Sequence, residues 1–268
     1  MSDAQAWFRA ADPNRRVGHS VEFWDEVGST NDRARAALTE RGGEGRAVVA
    51  DRQSAGRGRL GRSWLSPAGA NLLVSVAIRP DRLAPIDGWQ LGAAAALAVR
   101  DAAGPWADLA IRWPNDLVTA EGLKVAGVLL ETAALGERLT EAVIGVGINL
   151  NWRRADMPRE IAAAATSLAE IHGTPVDRVE LLRRLLAALD HEVAAVEAGA
   201  SPLERMRVAS WLTGRTVEVE TPAGVLTGTA VGLGTDGGLE VEGPARRTTI
   251  TTGEVIRVRE LATGQSGL

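Results

Sequence analysis

Residues 123–151 read LKVAGVLLETAALGERLTEAVIGVGINLN, and they decide the fold class. LKVAGVLLETA (123–133) and LTEAVIGVGINLN (139–151) are β-branched, apolar runs of strand length. Leu135-Gly136-Glu137 joins them as a hairpin-like connection. Upstream, the elements alternate. VEFW (21–24) is a short strand, and Ser29-Thr30-Asn31 supplies cap side chains for the helical run DRARAALTER, which Gly42-Gly43 stops. AVVAD (47–51) and NLLVSVAIR (71–79) are strands, and Pro85 opens a long alanine-rich helix that Gly104-Pro105 ends. LAIRW (109–113) is a strand running into the turn Pro114-Asn115-Asp116. Downstream, residues 158–210 carry helical periodicity, including AAAATSLAEI and VELLRRLLAALDHEVAAVEAG. From Gly214 the texture becomes short alternating strands punctuated by Gly and Pro, the pattern of a small antiparallel barrel.

The chain has 268 residues, a formal net charge of −4 and 45% hydrophobic residues, enough to bury a core in one large unit with a small appendage. No apolar run approaches bilayer length, and the first residues lack a signal-peptide pattern, so a cytoplasmic protein without membrane contact is expected. With no cysteine there is no disulfide framework, thiolate metal site or cysteine nucleophile. His19, His172 and His191 stand too far apart in sequence to suggest a local ligand cluster.

The basic residues are unequal. Of 30, Lys124 is the one lysine and the other 29 are arginine. Either Lys124 is a chance survivor or it fills a site where a compact ammonium fits and a planar guanidinium does not. Its neighbourhood favours the second reading, because it opens an apolar strand and Gly127 clears space three residues on. Gly56-Arg57-Gly58-Arg59-Leu60-Gly61-Arg62 combines backbone that can approach a ligand closely with bidentate cations suited to phosphate; a solvated or RNA-binding Gly-Arg loop is the plainer alternative. Its spacing fits neither a Walker A loop nor a dinucleotide fingerprint. Arg112-Trp113-Pro114-Asn115-Asp116 aims polar side chains from a strand end, although an Asx turn alone would account for Asn-Asp. Gly145 and Gly147 give a strand against which a flat ligand can lie.

GRGRLGR, RWPNDL, LKVAGVLLE with its Glu131, and GVGINLN, in this order, resemble the biotin protein ligases over about residues 20–260. The resemblance implies an α+β fold. Its catalytic part, residues 1–212, is a mixed sheet flanked by helices, like class II aminoacyl-tRNA synthetases, and residues 213–268 form a small SH3-like barrel. It implies that biotin and ATP form biotinyl-5′-AMP, from which biotin passes to a lysine on the biotin carboxyl carrier domain of acyl-CoA carboxylases. Lys124 and Arg59 are then the catalytic residues. Biotin contacts fall to Ser29, Thr30, Asn31, Gln53, Gly56, Arg57, Gly58, Arg59, Lys124 and Gly127. Adenylate contacts fall to Arg57, Arg59, Arg62, Trp64, Asn115, Lys124 and Asn149, with Asp116 the candidate contact for Mg²⁺. The 53–64 loop is expected to be mobile without ligand and to order over the adenylate. The family's usual KWPND appears here with Arg112 in place of lysine. Longer members carry an N-terminal DNA-binding domain; with the Ser-Thr-Asn cap at residue 29, no sequence-specific DNA binding is expected. A lipoate–protein ligase and a non-catalytic polyanion-binding module are the competing readings.

Overall fold

The computed structural model describes residues 3–259; residues 260–268 of the expected C-terminal unit lie outside the described residues. The strands are β1 (Val21–Val27), β2 (Ala47–Gln53), β3 (Leu72–Ile78), β4 (Ala110–Arg112), β5 (Asp116–Val118), β6 (Lys124–Leu135), β7 (Arg138–Ile148), β8 (Thr216–Thr221), β9 (Gly224–Leu233), β10 (Leu239–Glu242), β11 (Arg247–Ile250) and β12 (Glu254–Arg259). The helices are α1 (Asp3–Trp7), α2 (Thr30–Ala37), α3 (Trp89–Ala103), α4 (Arg159–Ala162), α5 (Leu168–His172), α6 (Arg178–Glu197) and α7 (Leu203–Ala209). Strands β1–β7 form one sheet in the order β1-β2-β3-β7-β6-β5-β4, with β1 and β2 parallel and the other pairs antiparallel. The α+β class and the mixed sheet flanked by helices are therefore present. Strands β8–β12 form a second, antiparallel sheet in the order β11-β10-β9-β8-β12.

Strand alternation sorts the large sheet into two faces. Ala47 and Val49, Leu72 to Ile78 at every second position, and Ala142 to Ile148 likewise pack into the main core with α3 and α6. Helix α3 is buried nearly all round because α6 covers the side turned away from the sheet; its alanine run lets the two helices approach closely. On the opposite face α2 covers Val48, Ala77 and Val143 through Ala34, Ala37 and Leu38. Helix α2 covers only part of that face. Beyond it, Ser75, Gly145, Gly147, Gly127 and Glu131 share the same side, and their register places Ser75 opposite Gly145 and Gly127 opposite Gly147.

Several elements depart from the sequence reading. Helix α2 stops at Ala37, four residues short of Arg41, because the chain folds back at Gly43, where a Cβ would stand 1.9 Å from the Ala37 carbonyl oxygen. Pro85 opens a short 3-10 turn, and α3 begins at Trp89. The turn at Pro114 leads into a short strand, β5, that the sequence reading missed. The stretch AAAATSLAEI is not one helix: Lys124 N–H donates to Ala164 O at 2.8 Å and Thr166 N–H to Lys124 O at 2.9 Å, so residues 164–166 lie alongside the start of β6. Ser167 then caps a new helix by accepting from Glu170 N–H. Among the described residues no helix is long and apolar enough to cross a membrane.

Candidate active site

A cleft of about 520 Å³ opens on the face that α2 leaves uncovered. Its floor is Gly145 and Gly147 of β7 with Gly127 of β6. Ser29, Thr30 and Asn31 at the start of α2 form one wall, and the Trp113–Asp116 turn with Lys124 forms another. The Gly-Arg segment folds over the cleft as a small hairpin: Trp64 N–H donates to Gly56 O at 2.9 Å and Gly58 N–H to Arg62 O at 2.7 Å, and Arg57 pairs with Ser63. Glu254, Val255 and Ile256 of the small sheet close one end. Sequence distance gave no hint of that contribution.

Polar groups near α2 are arranged by mutual hydrogen bonds. Thr30 donates from both its backbone N–H and its Oγ1 to Gln53 Oε1, at 2.7 and 2.9 Å. With its oxygen so engaged, the Gln53 amide presents its Nε2 donors. The Ser29 hydroxyl makes no cap hydrogen bond, contrary to the expected capping role. Asn31 lines the cleft, but its amide turns inward: Nδ2 donates to Glu131 at 2.9 Å and Oδ1 accepts from Ser75 Oγ at 2.6 Å. It ties three elements together instead of offering itself to a ligand. Gly145 follows from this, since a Cβ there would stand 2.2 Å from Asn31 Oδ1. Ser75, wholly buried on β3, is also 2.7 Å from Thr30 Oγ1. Sequence reasoning missed it, although one hydroxyl within LLVSVAI was the available signal.

At the other end Lys124 Nζ meets Asp116 Oδ1 at 2.6 Å, while Arg112 Nη2 donates to Asp116 Oδ2 at 2.8 Å. Nζ also stands 5.3 Å from the Trp64 ring centroid. The indole lies on the glycine floor: a Cβ on Gly147 would come within 2.5 Å of it and one on Gly127 within 3.2 Å of both it and Lys124. Trp64 Nε1 is buried there without an acceptor among the described residues. Arg59 reaches Gly253 O at 3.4 Å, and its burial pushes its pKa below the usual arginine value. Arg62 pairs with Glu254.

Four of the expected contact residues have partners within the protein or lie off the cleft. Arg57 does not present a free guanidinium: Nη1 and Nη2 are held by Asp32 at 2.7 and 2.6 Å, and Nη2 is also 3.4 Å from Glu131. Hydrogen bonding to Asp32 raises its pKa, and two carboxylates cancel its charge toward any incoming anion. Asn115 uses Nδ2 to hold Val128 O at 2.6 Å, fixing the turn. Asn149 and Gly56 are not among the residues lining the cleft: Asn149 is buried at the end of β7, its backbone joined to Val125 and Leu168. At Gly56 a Cβ would stand 2.7 Å from Trp64 O, so glycine serves the root of the hairpin. Apart from Gly56 and Asn149, every expected residue lines this one cleft, Asn31, Arg57 and Asn115 included.

The carboxylates lining the cleft do not fit a protein-held Mg²⁺. Of the three carboxylates lining the cleft, Asp116 turns both oxygens to cations, Glu254 is paired with Arg62, and Glu160 stands exposed on α4. Among the described residues no three His, Asp or Glu stand together as donors. Asp116, the expected metal contact, pairs here with Lys124 and Arg112.

Residues 27–149 match the family described as "Biotin/lipoate A/B protein ligase family", which puts the sheet and its cleft in the class of ligases acting with biotin or lipoate. Residues 213–258 match "Biotin protein ligase C terminal domain". A biotin–[acetyl-CoA-carboxylase] ligase of Mycobacterium tuberculosis is 33% identical over 243 residues, 87% of this chain and 87% of its own. One of Paracoccus denitrificans is 37% identical over 78% of this chain and 88% of its own. A solved biotin protein ligase of Aquifex aeolicus, in complex with biotin and ATP, superposes with a TM-score of 0.75 at 30% identity, covering 90% of this chain and 99% of that one. The chain belongs to the biotin protein ligase family.

Proposed function

We propose that this chain joins biotin to the biotin carboxyl carrier domain of carboxylases in two half-reactions. A biotin carboxylate oxygen attacks the α-phosphorus of ATP, forming biotinyl-5′-AMP as pyrophosphate leaves. The ε-amine of the carrier lysine then attacks the acyl carbon, forming the amide; AMP leaves and the amine releases a proton. The observation that carries this reading is the lone lysine in the cleft, its Nζ oriented by Asp116 and flanked by Arg112. The first step opposes two anions, and a preorganised ammonium that touches both reacting groups offsets their repulsion as charge shifts to the leaving group.

The other residues take roles that follow from their bonds. Gln53 Nε2 and the Ser29 hydroxyl suit the neutral ureido head of biotin, which needs short uncharged partners. Arg59 and Arg62 lie where the phosphates approach, and the Trp64 indole is the flat cover. The nucleotide enters as MgATP, its metal carried by the phosphates as part of the substrate. The lipoate reading is not favoured, because a dithiolane ring has no acceptor for the Gln53 amide. A polyanion-binding module is disfavoured by the pairing of Arg57 with Asp32 and Glu131. We assign residues 1–212 to a class II synthetase-like catalytic unit and residues 213–268 to an SH3-like barrel, supported by the two separate sheets. Mass spectrometry of a carrier domain after incubation with biotin, MgATP and the protein should show one added biotin. An unmodified carrier refutes the reading.

A further inference from the structure

The chain leaving β2 and entering the hairpin over the cleft is joined to α2 by two cross-links of opposite character, one at the end of β2 and one at the hairpin itself. One is internal, between Thr30 and Gln53. The other is at the rim, where Asp32 grips Arg57 in a planar, two-bonded pair and Glu131 supports the same guanidinium. Asp32 is 57% exposed and Arg57 36%, so water screens the pair and it contributes little to folding. Its position is more telling. Arg57 is the residue that pairs with Ser63 to close the hairpin, and Asp32 stands one turn into the helix that starts at Ser29 and Thr30. Glu131 also bonds Asn31 and Arg35, so the grip is continuous with the polar wall of the cleft.

We propose that Asp32 is a positioning residue: by holding the Arg57 guanidinium it fixes the root of the hairpin to the helix turn that forms the acyl-group wall, so that Arg59, Arg62 and Trp64 stay closed over the activated acid. The inference rests on the proposed ligase function. It assigns Arg57 to mechanical support of the lid and leaves phosphate contact to the arginines nearer the tip. A bidentate pair suits that task because it constrains the orientation of the guanidinium as well as its distance. An intermediate that must await a protein partner needs such closure, since an opened lid exposes a hydrolysable anhydride to water.

The test measures how fast preformed biotinyl-5′-AMP leaves the protein, in wild type, Asp32→Asn and Asp32→Glu. Asp32→Asn should release it about fivefold faster, the ratio expected for loss of an exposed ion pair. The saturated rate of pyrophosphate release should move by less than about twofold, and thermal unfolding should be unchanged, as for other exposed surface substitutions. Asp32→Glu should recover retention, and trypsin should cut after Arg59 and Arg62 sooner in Asp32→Asn than in wild type. If wild type forms no adenylate from biotin and MgATP, the ligase function itself fails. If wild type forms and keeps it while Asp32→Asn keeps it equally long, or loses it in step with thermal stability, the positioning role alone is overturned.

Discussion

Replacing Ser75 by alanine removes one hydroxyl from a strand that is otherwise apolar, and the structure gives the cost. Ser75 is 1% exposed and its Oγ is 2.6 Å from Asn31 Oδ1 and 2.7 Å from Thr30 Oγ1. One hydroxyl proton serves these two acceptors, and the shorter contact, to the amide oxygen, is the better claimant. Asn31 is 4% exposed, so without Ser75 its Oδ1 has no water to turn to. A buried acceptor left unpaired costs about 1–3 kcal/mol. The volume lost is a single oxygen, so the cavity adds little. Near 2 kcal/mol, Tm should fall by about 4–8 °C for a chain of this size. The effect should also reach the cleft, because Thr30, which holds Gln53, loses the Ser75 hydroxyl it packs against: KM for biotin should rise, with kcat little changed. Denaturant unfolding of Ser75→Ala, Asn31→Ala and the double variant provides the assay. The two changes should couple by at least about 0.5 kcal/mol, since contacting residues are not additive. A Ser75→Ala protein as stable as wild type, or strictly additive variants, would refute the account of the polar wall.

Lys124→Arg should lower biotin-dependent pyrophosphate release by about a hundredfold to a thousandfold, about 3–4 kcal/mol, while circular dichroism stays native, because the wider guanidinium meets Gly127 and the Trp64 indole in the same narrow gap. Near-wild-type turnover would take the lysine out of the chemistry. At Gly237, φ is +73° and a Cβ would stand 2.4 Å from Trp89 on α3, where Gly237 O also accepts from Trp113 Nε1. Gly237→Ala should therefore destabilise the seating of the small sheet by about 1–3 kcal/mol, read by denaturant unfolding. Hydrogen bonding from Arg57 holds the Asp32 carboxyl below the usual carboxylate range. A depressed carboxylate contributes above its unfolded pKa and loses that contribution as pH falls through the folded value. The difference in adenylate retention between wild type and Asp32→Asn should thus be flat from about pH 5 to 8 and close only in stronger acid. A difference that disappears around neutrality would point to another group.

The β6–β7 hairpin was legible because β-branched alternation and the Gly136-Glu137 turn act locally. The chemistry was legible for a different reason: one lysine among arginines is a compositional signal that needs no structure. Residues 162–171 misled because alanine favours helix, yet backbone bonds from Lys124 to Ala164 and Thr166 outweigh that preference. Arginines 57, 59 and 62 are alike in sequence, and partners 25, 194 and 192 residues away set them apart.

Sequence by itself determined the long strands and helices, the glycine floor and the identity of the ammonium, because periodicity, turn chemistry and residue scarcity are properties of short stretches. Tertiary structure decided which polar groups remain free for a ligand. Asn31 and Asn115 were drawn inward, Arg57 was held at the rim by Asp32, and Asp116 was turned to Lys124. A side chain's hydrogen-bonding capacity is fixed by its chemistry, but whether that capacity is already used depends on neighbours that folding alone brings within three ångströms.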